Sequence, residues 1–223
     1  MVKIIRKLTQ VNRTVMSNKR NMWIVIHYVG AVSTAKANAY YFYDKNRGAS
    51  ANYFVDENEI WQVVDDKDAA WHIGLSEEKI KKGLVKYYNS ARNTNSIGIE
   101  MCCKKDQNGK LYIDPQTVTN TVNLTKALMK KYGITLIARH YDCTRKLCPA
   151  MWVEDASQWL NFLERLTKEE KKMLTLDEAL LFLHEKGLLD KTEHWKYMSD
   201  NIKDLQFVFI KWANSLATTV TKD

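Results

Sequence analysis

Proline is almost absent from this chain, two residues in 223. With so little proline and 45% hydrophobic residues, extended low-complexity segments are excluded as its main content, and folded structure is expected throughout. Cysteine is sparse as well. The four cysteines, at positions 102, 103, 143 and 148, form no C-x-x-C pair, so neither a disulfide framework nor a zinc ribbon is supported and reduced thiols are expected. Long apolar runs are missing, since none approaches the ~20 residues that span a bilayer. Met1-Val-Lys-Ile-Ile-Arg-Lys-Leu8 carries charge with no apolar stretch behind it. No signal peptide is read there, and synthesis in the cytoplasm without a visible address is expected.

The net charge of +8 is unevenly placed. From Thr167 onward nine lysines meet ten acidic residues, whereas the preceding part carries 25 basic against 16 acidic ones. Lys and Arg are spread along that first part without a recognisable nucleic-acid motif, so no nucleic-acid partner is expected. Steering toward an anionic polymer suits the distribution.

What is present concentrates in Ala138-Arg-His140-Tyr-Asp-Cys143-Thr-Arg-Lys146-Leu-Cys148-Pro149. A His, a Cys and a Lys share one loop after the strand-like run Ile134-Thr-Leu-Ile137. An imidazole nitrogen and a thiolate are ligands that Zn²⁺ prefers, but two do not hold a metal, and a third must come from elsewhere in the fold. His27 is the best candidate because it ends the β-branched run Met22-Trp-Ile-Val-Ile26, placing its ring at the C-terminal end of a buried strand. His72 is its rival. Two His and one Cys leave a tetrahedral position open, which separates a catalytic zinc from a structural one.

Asn95-Ser-Ile-Gly-Ile-Glu100-Met-Cys-Cys103 reads as a strand through the core. Alternation puts Ile97, Ile99 and Met101 on one face and Gly98, Glu100 and Cys102 on the other. A carboxylate in such an apolar run is expensive unless paired, hydrogen-bonded or protonated. Burial would raise its pKa toward the range useful for a proton shuttle.

Five segments, in this order, resemble the motif set of the zinc-dependent N-acetylmuramoyl-L-alanine amidases, which share a fold with the peptidoglycan recognition proteins. They are Trp23 to His27, Ser50 to Asp56, Ala70-Trp71-His72-Ile-Gly74, Asn95 to Glu100, and His140 to Pro149, covering roughly residues 1–166. The resemblance implies an α/β fold, a central mixed β-sheet flanked by helices, acting on bacterial peptidoglycan. It implies Zn²⁺ held by His27, His140 and Cys148, with Glu100 as proton shuttle and Lys146 stabilising the oxyanion. Trp71 and His72 are implied to line the substrate cleft. Asn52 stands where family members often carry His, a departure that bears on a substrate contact and not on the metal. Action on the wall would follow release from the cytoplasm, by a holin-type route in a phage lysin. A peptidoglycan-binding module without catalysis is the alternative; such relatives usually lack the metal Cys. A third class, a closed zinc site, would recruit Cys143 as well.

Along the chain, Ser33 is expected to cap a helix through Asp44 that packs Tyr and Phe on the sheet. Ala51 to Asp56 and Glu59 to Val64 form a hairpin around Glu57-Asn58. Asp114-Pro115 opens a helix that Gly133 ends, and another runs from about Val153 to Leu166. The charged bridge Lys168 to Lys172 marks the boundary between a catalytic domain, 1–166, and a small all-helical domain, 167–223. There Thr175-Leu-Asp-Glu178 is a capping box for a helix stopped by Gly187, followed by amphipathic pieces around His194–Met198 and Ile202–Leu216. Its aromatics, Trp195, Tyr197, Phe207, Phe209 and Trp212, suggest wall binding or a homodimer through these helices.

Overall fold

The computed structural model describes residues 3–74, 90–168, 175–190, 192, 195–196 and 203–219. Seven strands form one mixed sheet: β1 (Ile4–Arg6), β2 (Trp23–Val32), β3 (Tyr53–Val55), β4 (Ile60–Gln62), β5 (Ser96–Lys105), β6 (Leu111–Tyr112) and β7 (Leu136–Arg139). Their order is β1-β4-β3-β5-β2-β7, with β6 paired to the end of β5. The two ten-residue strands, β2 and β5, lie parallel at the centre, and their register sets His27 directly beside Glu100. β7 runs parallel along the other side of β2, and the expected hairpin, β3 with β4, lies along the other side of β5.

Alternation then sorts the side chains. Ile24 and Ile26 join Ile97, Ile99 and Met101 on one face, in the main core. Trp23, Val25 and His27 share the opposite face with Gly98, Glu100 and Cys102. Helices cover the main core: α2 (Pro115–Tyr132) and α5 (Ala156–Thr167) contribute Val122, Leu124, Leu128, Trp159 and Phe162. Asp114 caps α2 by accepting from the Gln116 N–H, and Gly133 ends it at φ 65°, a left-handed conformation that costs glycine least.

Several expectations shift. The His27 strand does not stop there but continues to Val32, with a register irregularity between Tyr28 and Val32. Helix α1 (Ala35–Tyr41) is capped by Thr34, whose hydroxyl accepts from Ala37, while Ser33 accepts from the Asn38 amide. Its buried face is Ala35, Asn38 and Ala39; Tyr40, Tyr41 and Tyr43 are exposed, but Tyr40 still tilts against Trp61 of the sheet at 6.0 Å, and Phe42 stacks on Phe54 at 5.3 Å. The His140 stretch is not a loop throughout, since α3 (His140–Thr144) begins directly after β7. The expected helix from 153 to 166 is two, α4 (Ala150–Glu154) and α5, because Asp155 adopts extended backbone and turns its carboxylate onto Ser157 N–H and O–H.

Compactness divides the chain into Met1–Lys168 and Glu169–Asp223. In the second unit α6 (Leu176–Glu185) opens on the Thr175/Glu178 capping box, and with α7 (Lys203–Thr219) it shares a core of Ala179, Leu180, Leu183, Leu189, Phe209 and Ala213. Trp195 packs edge-on against Phe209 at 5.5 Å. These two aromatics are therefore spent on the unit's own core, whereas Trp212 is 39% exposed. The bridge after Lys168, and the His194–Met198 piece apart from Trp195 and Lys196, lie outside the described residues, as do Tyr197 and the side chain of Phe207. No described helix is long and apolar enough to cross a membrane.

Candidate active site

β2 aims His27 out of the sheet on the face away from the main core, and β7 delivers His140 to the same place as the first residue of α3. A left-handed turn at Arg145 then reverses the chain so that Cys148 returns, its carbonyl accepting from the Tyr141 N–H at 2.9 Å. The result is a buried group of His27, His140 and Cys148 whose donor atoms lie within 4.8 Å of one another, and which could hold a metal ion. His72 is outside this group, so the rival third ligand is set aside. Cys143 is outside it too, buried instead with Trp23, Val25 and Ile73.

Hydrogen bonding shows why the group suits a cation. His140 Nε2 lies 2.8 Å from the carbonyl of Ile73, which can only accept, so the ring carries its proton there and turns a lone pair inward on Nδ1. His27 Nδ1 stands 3.0 Å from that atom and 3.9 Å from Cys148 Sγ. Burial, then His140, His72 and Lys146, hold His27 well below the ordinary histidine range, so its ring is neutral. Two imidazole nitrogens and a sulfur this close together form a donor set of the kind that suits Zn²⁺. Burial raises the Cys148 thiol, with Glu100 adding to the effect; a bound cation would reverse that by favouring the thiolate.

Glu100 faces the same group. Its Oε1 is 3.9 Å from His27 Nδ1, while Oε2 is sealed from solvent and has no hydrogen-bond partner among the described residues. Burial pushes the carboxyl up to about 7, against the opposing pull of Lys146. An orphaned buried oxygen is costly, and its position beside the donor group suits a carboxylate that exchanges a proton with a molecule bound there.

A cleft of about 240 Å³ opens onto this centre, walled by Tyr28, Phe42, Ser50, Trp71, His72, Glu100, His140, Lys146 and Leu147 among others. Trp71 is half-buried, its indole N–H donating to Thr14 Oγ1 at 2.8 Å and its backbone N–H to Ser50 Oγ at 2.9 Å. Lys146 is exposed on the rim. Asn52 is not brought to the cleft. It is fully buried, its Oδ1 accepting from the Gly98 N–H at 3.0 Å and its amide donating to the carbonyls of Val64 and Asp65. Its contribution is to stitch the hairpin to β5, with no group left for a substrate. Ser96 is a site residue the sequence reading passes over. It lies 3.1 Å from His72 Nε2, and its place two residues before Gly98, on the Glu100 face, is the signal that marks it.

The comparisons with known proteins come to the same region. A family model described as N-acetylmuramoyl-L-alanine amidase matches residues 17–151. N-acetylmuramoyl-L-alanine amidase CwlL of Bacillus licheniformis is 32% identical over 177 residues, 74% of this chain and 47% of the relative. The chain thus spans about half the length of the curated relatives it matches. The solved structure of PlyL superposes with a TM-score of 0.60 at 21% identity, covering 75% of this chain and 98% of that one. The catalytic domain of XlyA gives 0.57 at 23%, covering 74% and 99%. At such identities the structural likeness speaks for the fold alone.

Proposed function

Because this chain belongs to the N-acetylmuramoyl-L-alanine amidase family, we propose that it is a zinc hydrolase of bacterial peptidoglycan. The bond cleaved is the amide between the lactyl group of N-acetylmuramic acid and L-alanine of the stem peptide. The observation that carries this reading is the convergence of the His27, His140 and Cys148 donors with the unpartnered Oε2 of Glu100 on one open cleft.

His27, His140 and Cys148 would hold the metal. Zinc supplies a Lewis acid that polarises the amide carbonyl and acidifies water. Glu100 takes a proton on its carboxylate as water oxygen bonds to the carbonyl carbon, and returns it to the amide nitrogen as the C–N bond breaks. Lys146, on the rim, places an ammonium near the oxyanion, a role normally worth a few kcal/mol. Trp71 offers an indole face to sugar or peptide. The second unit is read as a wall-binding or dimerising appendage, and the enzyme as acting after release, as a phage lysin or a host autolysin.

Purified protein incubated with isolated cell walls should release new N-terminal alanine, and chelator should abolish the release until zinc is restored. Cys148→Ala should lose zinc and release together, whereas Cys143→Ala should keep both. Wall binding without new alanine termini would turn the reading to a recognition module, and zinc loss in Cys143→Ala would overturn the ligand assignment.

A further inference from the structure

The loop Trp71 to Gly74 touches both histidines of the metal group from behind. The Ile73 carbonyl fixes His140, and the His72 ring fixes His27: His72 Nδ1 lies 2.9 Å from His27 Nε2. Behind His72 stands Ser96, 3.1 Å from Nε2, and the Ser96 hydroxyl is 2.5 Å from the Arg92 carbonyl.

That chain has a direction. A carbonyl oxygen only accepts, so Ser96 donates to Arg92 and must accept from His72 Nε2–H. His72 then presents a lone pair on Nδ1, which accepts the Nε2–H of His27, and the remaining lone pair of His27 is left on Nδ1, the atom facing His140 and Cys148. Both ring nitrogens of His72 are committed in this way, although the ring forms part of the cleft wall. The scaffold accommodates the ring deliberately, since a Cβ on Gly98 would come within 2.6 Å of His72 Cγ.

We infer that His72 is a positioning residue for the metal: anchored by Ser96, it accepts the Nε2–H of His27 and so fixes the tautomer and ring orientation that turn His27 Nδ1 toward the ion. The inference rests on the zinc-hydrolase reading and assigns His72 away from direct substrate contact. Partners of this kind, hydrogen-bonded to a ligating imidazole, typically change metal affinity by about 10- to 100-fold.

The test uses the full chain and zinc itself, with affinity read by competition against a chelator. His72→Leu should weaken zinc binding by about 10- to 100-fold. His72→Asn, whose Oδ1 takes the place of Nδ1 and can accept the same N–H, should recover most of that loss, and Gly98→Ala should resemble His72→Leu by displacing the ring. A role in packing alone predicts the opposite order, with Leu tolerated better than Asn, and that order would overturn the inference. Nitrogen-15 spectra of the zinc-loaded wild-type protein provide a readout that needs no variant to fold. His27 is expected as the Nε2–H tautomer; the Nδ1–H tautomer would sink the relay. A wild-type chain that binds zinc and releases alanine while His72→Leu keeps full zinc affinity defeats the relay alone, whereas a wild type that neither binds zinc nor cleaves defeats the hydrolase reading beneath it.

Discussion

Burial acts on Glu100 in two opposing ways. It makes the carboxyl a useful base by raising it to about 7, and it makes the folded chain carry an ionised group in apolar surroundings. The unfolded carboxyl titrates near 4.5, so the folded state holds the proton more tightly and Glu100 costs stability as pH rises from that value through about 7. In the metal-free protein, Glu100→Gln should therefore gain on wild type by about 2 kcal/mol between pH 5 and pH 8, measured by urea unfolding. The same variant should keep zinc and lose about 10²- to 10⁴-fold in turnover. An unchanged stability difference across that range would mean that burial does not hold the carboxyl neutral, and near-normal turnover would remove Glu100 from the chemistry.

At this scale the sequence was most readable where chemistry narrows the choice. His140, Lys146 and Cys148 sit close together in one stretch, and Glu100 interrupts an apolar alternation, so each stands out by residue type alone. The positions of Asn52 and His72 depend on distant partners: Asn52 spends its amide on Gly98, Val64 and Asp65, and His72 spends both nitrogens on His27 and Ser96. Nothing local to either residue reveals this, because β-sheet register alone brings Ser96 and Gly98 behind the His27, His140 and Cys148 cluster.

Among the elements, those with covalent or capping punctuation were legible. Asp114-Pro115 and Gly133 bound α2 where expected, and Thr175 with Glu178 opens α6. The break between α4 and α5 was not, since apolar periodicity continues through Trp152, Trp159 and Phe162 while Asp155 redirects the backbone. Similarly, α1 turns Ala35, Asn38 and Ala39 to the core and leaves its tyrosines largely exposed, Tyr40 keeping a contact with Trp61. The Gly133 cap gives a measurable consequence. Its φ is 65°, and a Cβ there would meet nothing within 4 Å, so Gly133→Ala introduces backbone strain without a clash. Stability should fall by about 1 kcal/mol in urea unfolding, with zinc affinity unchanged, since α2 lies behind the main core and not at the metal group. A loss of zinc in that variant would tie the two together in a way the sheet does not.

On the scale of the whole molecule, the buried apolar clusters of the described residues each draw on one unit's stretch of sequence and not the other's. The sheet, its helices and every residue given a chemical role lie within Met1–Lys168, and the second unit packs α6 and α7 around its own apolar residues. At the end of the first unit the Lys168 carbonyl accepts from Lys126 Nζ at 2.6 Å and its ammonium pairs with Glu164 at 2.7 Å on the surface. Charge follows the same division, with the basic excess confined to the part before Thr167. A chain ending at Lys168 is therefore expected to fold, bind zinc and cleave a small soluble muropeptide at close to the full-length rate. On intact walls it should be slower if the second unit supplies a further contact, because a linked binding module raises effective concentration without changing the cleft. Sedimentation of both forms separates this from assembly, as a dimer lost on truncation would assign the second unit to self-association. A folded, zinc-loaded truncation that fails on the soluble substrate would instead place part of residues 169–223 in the catalytic reaction, against the division drawn here.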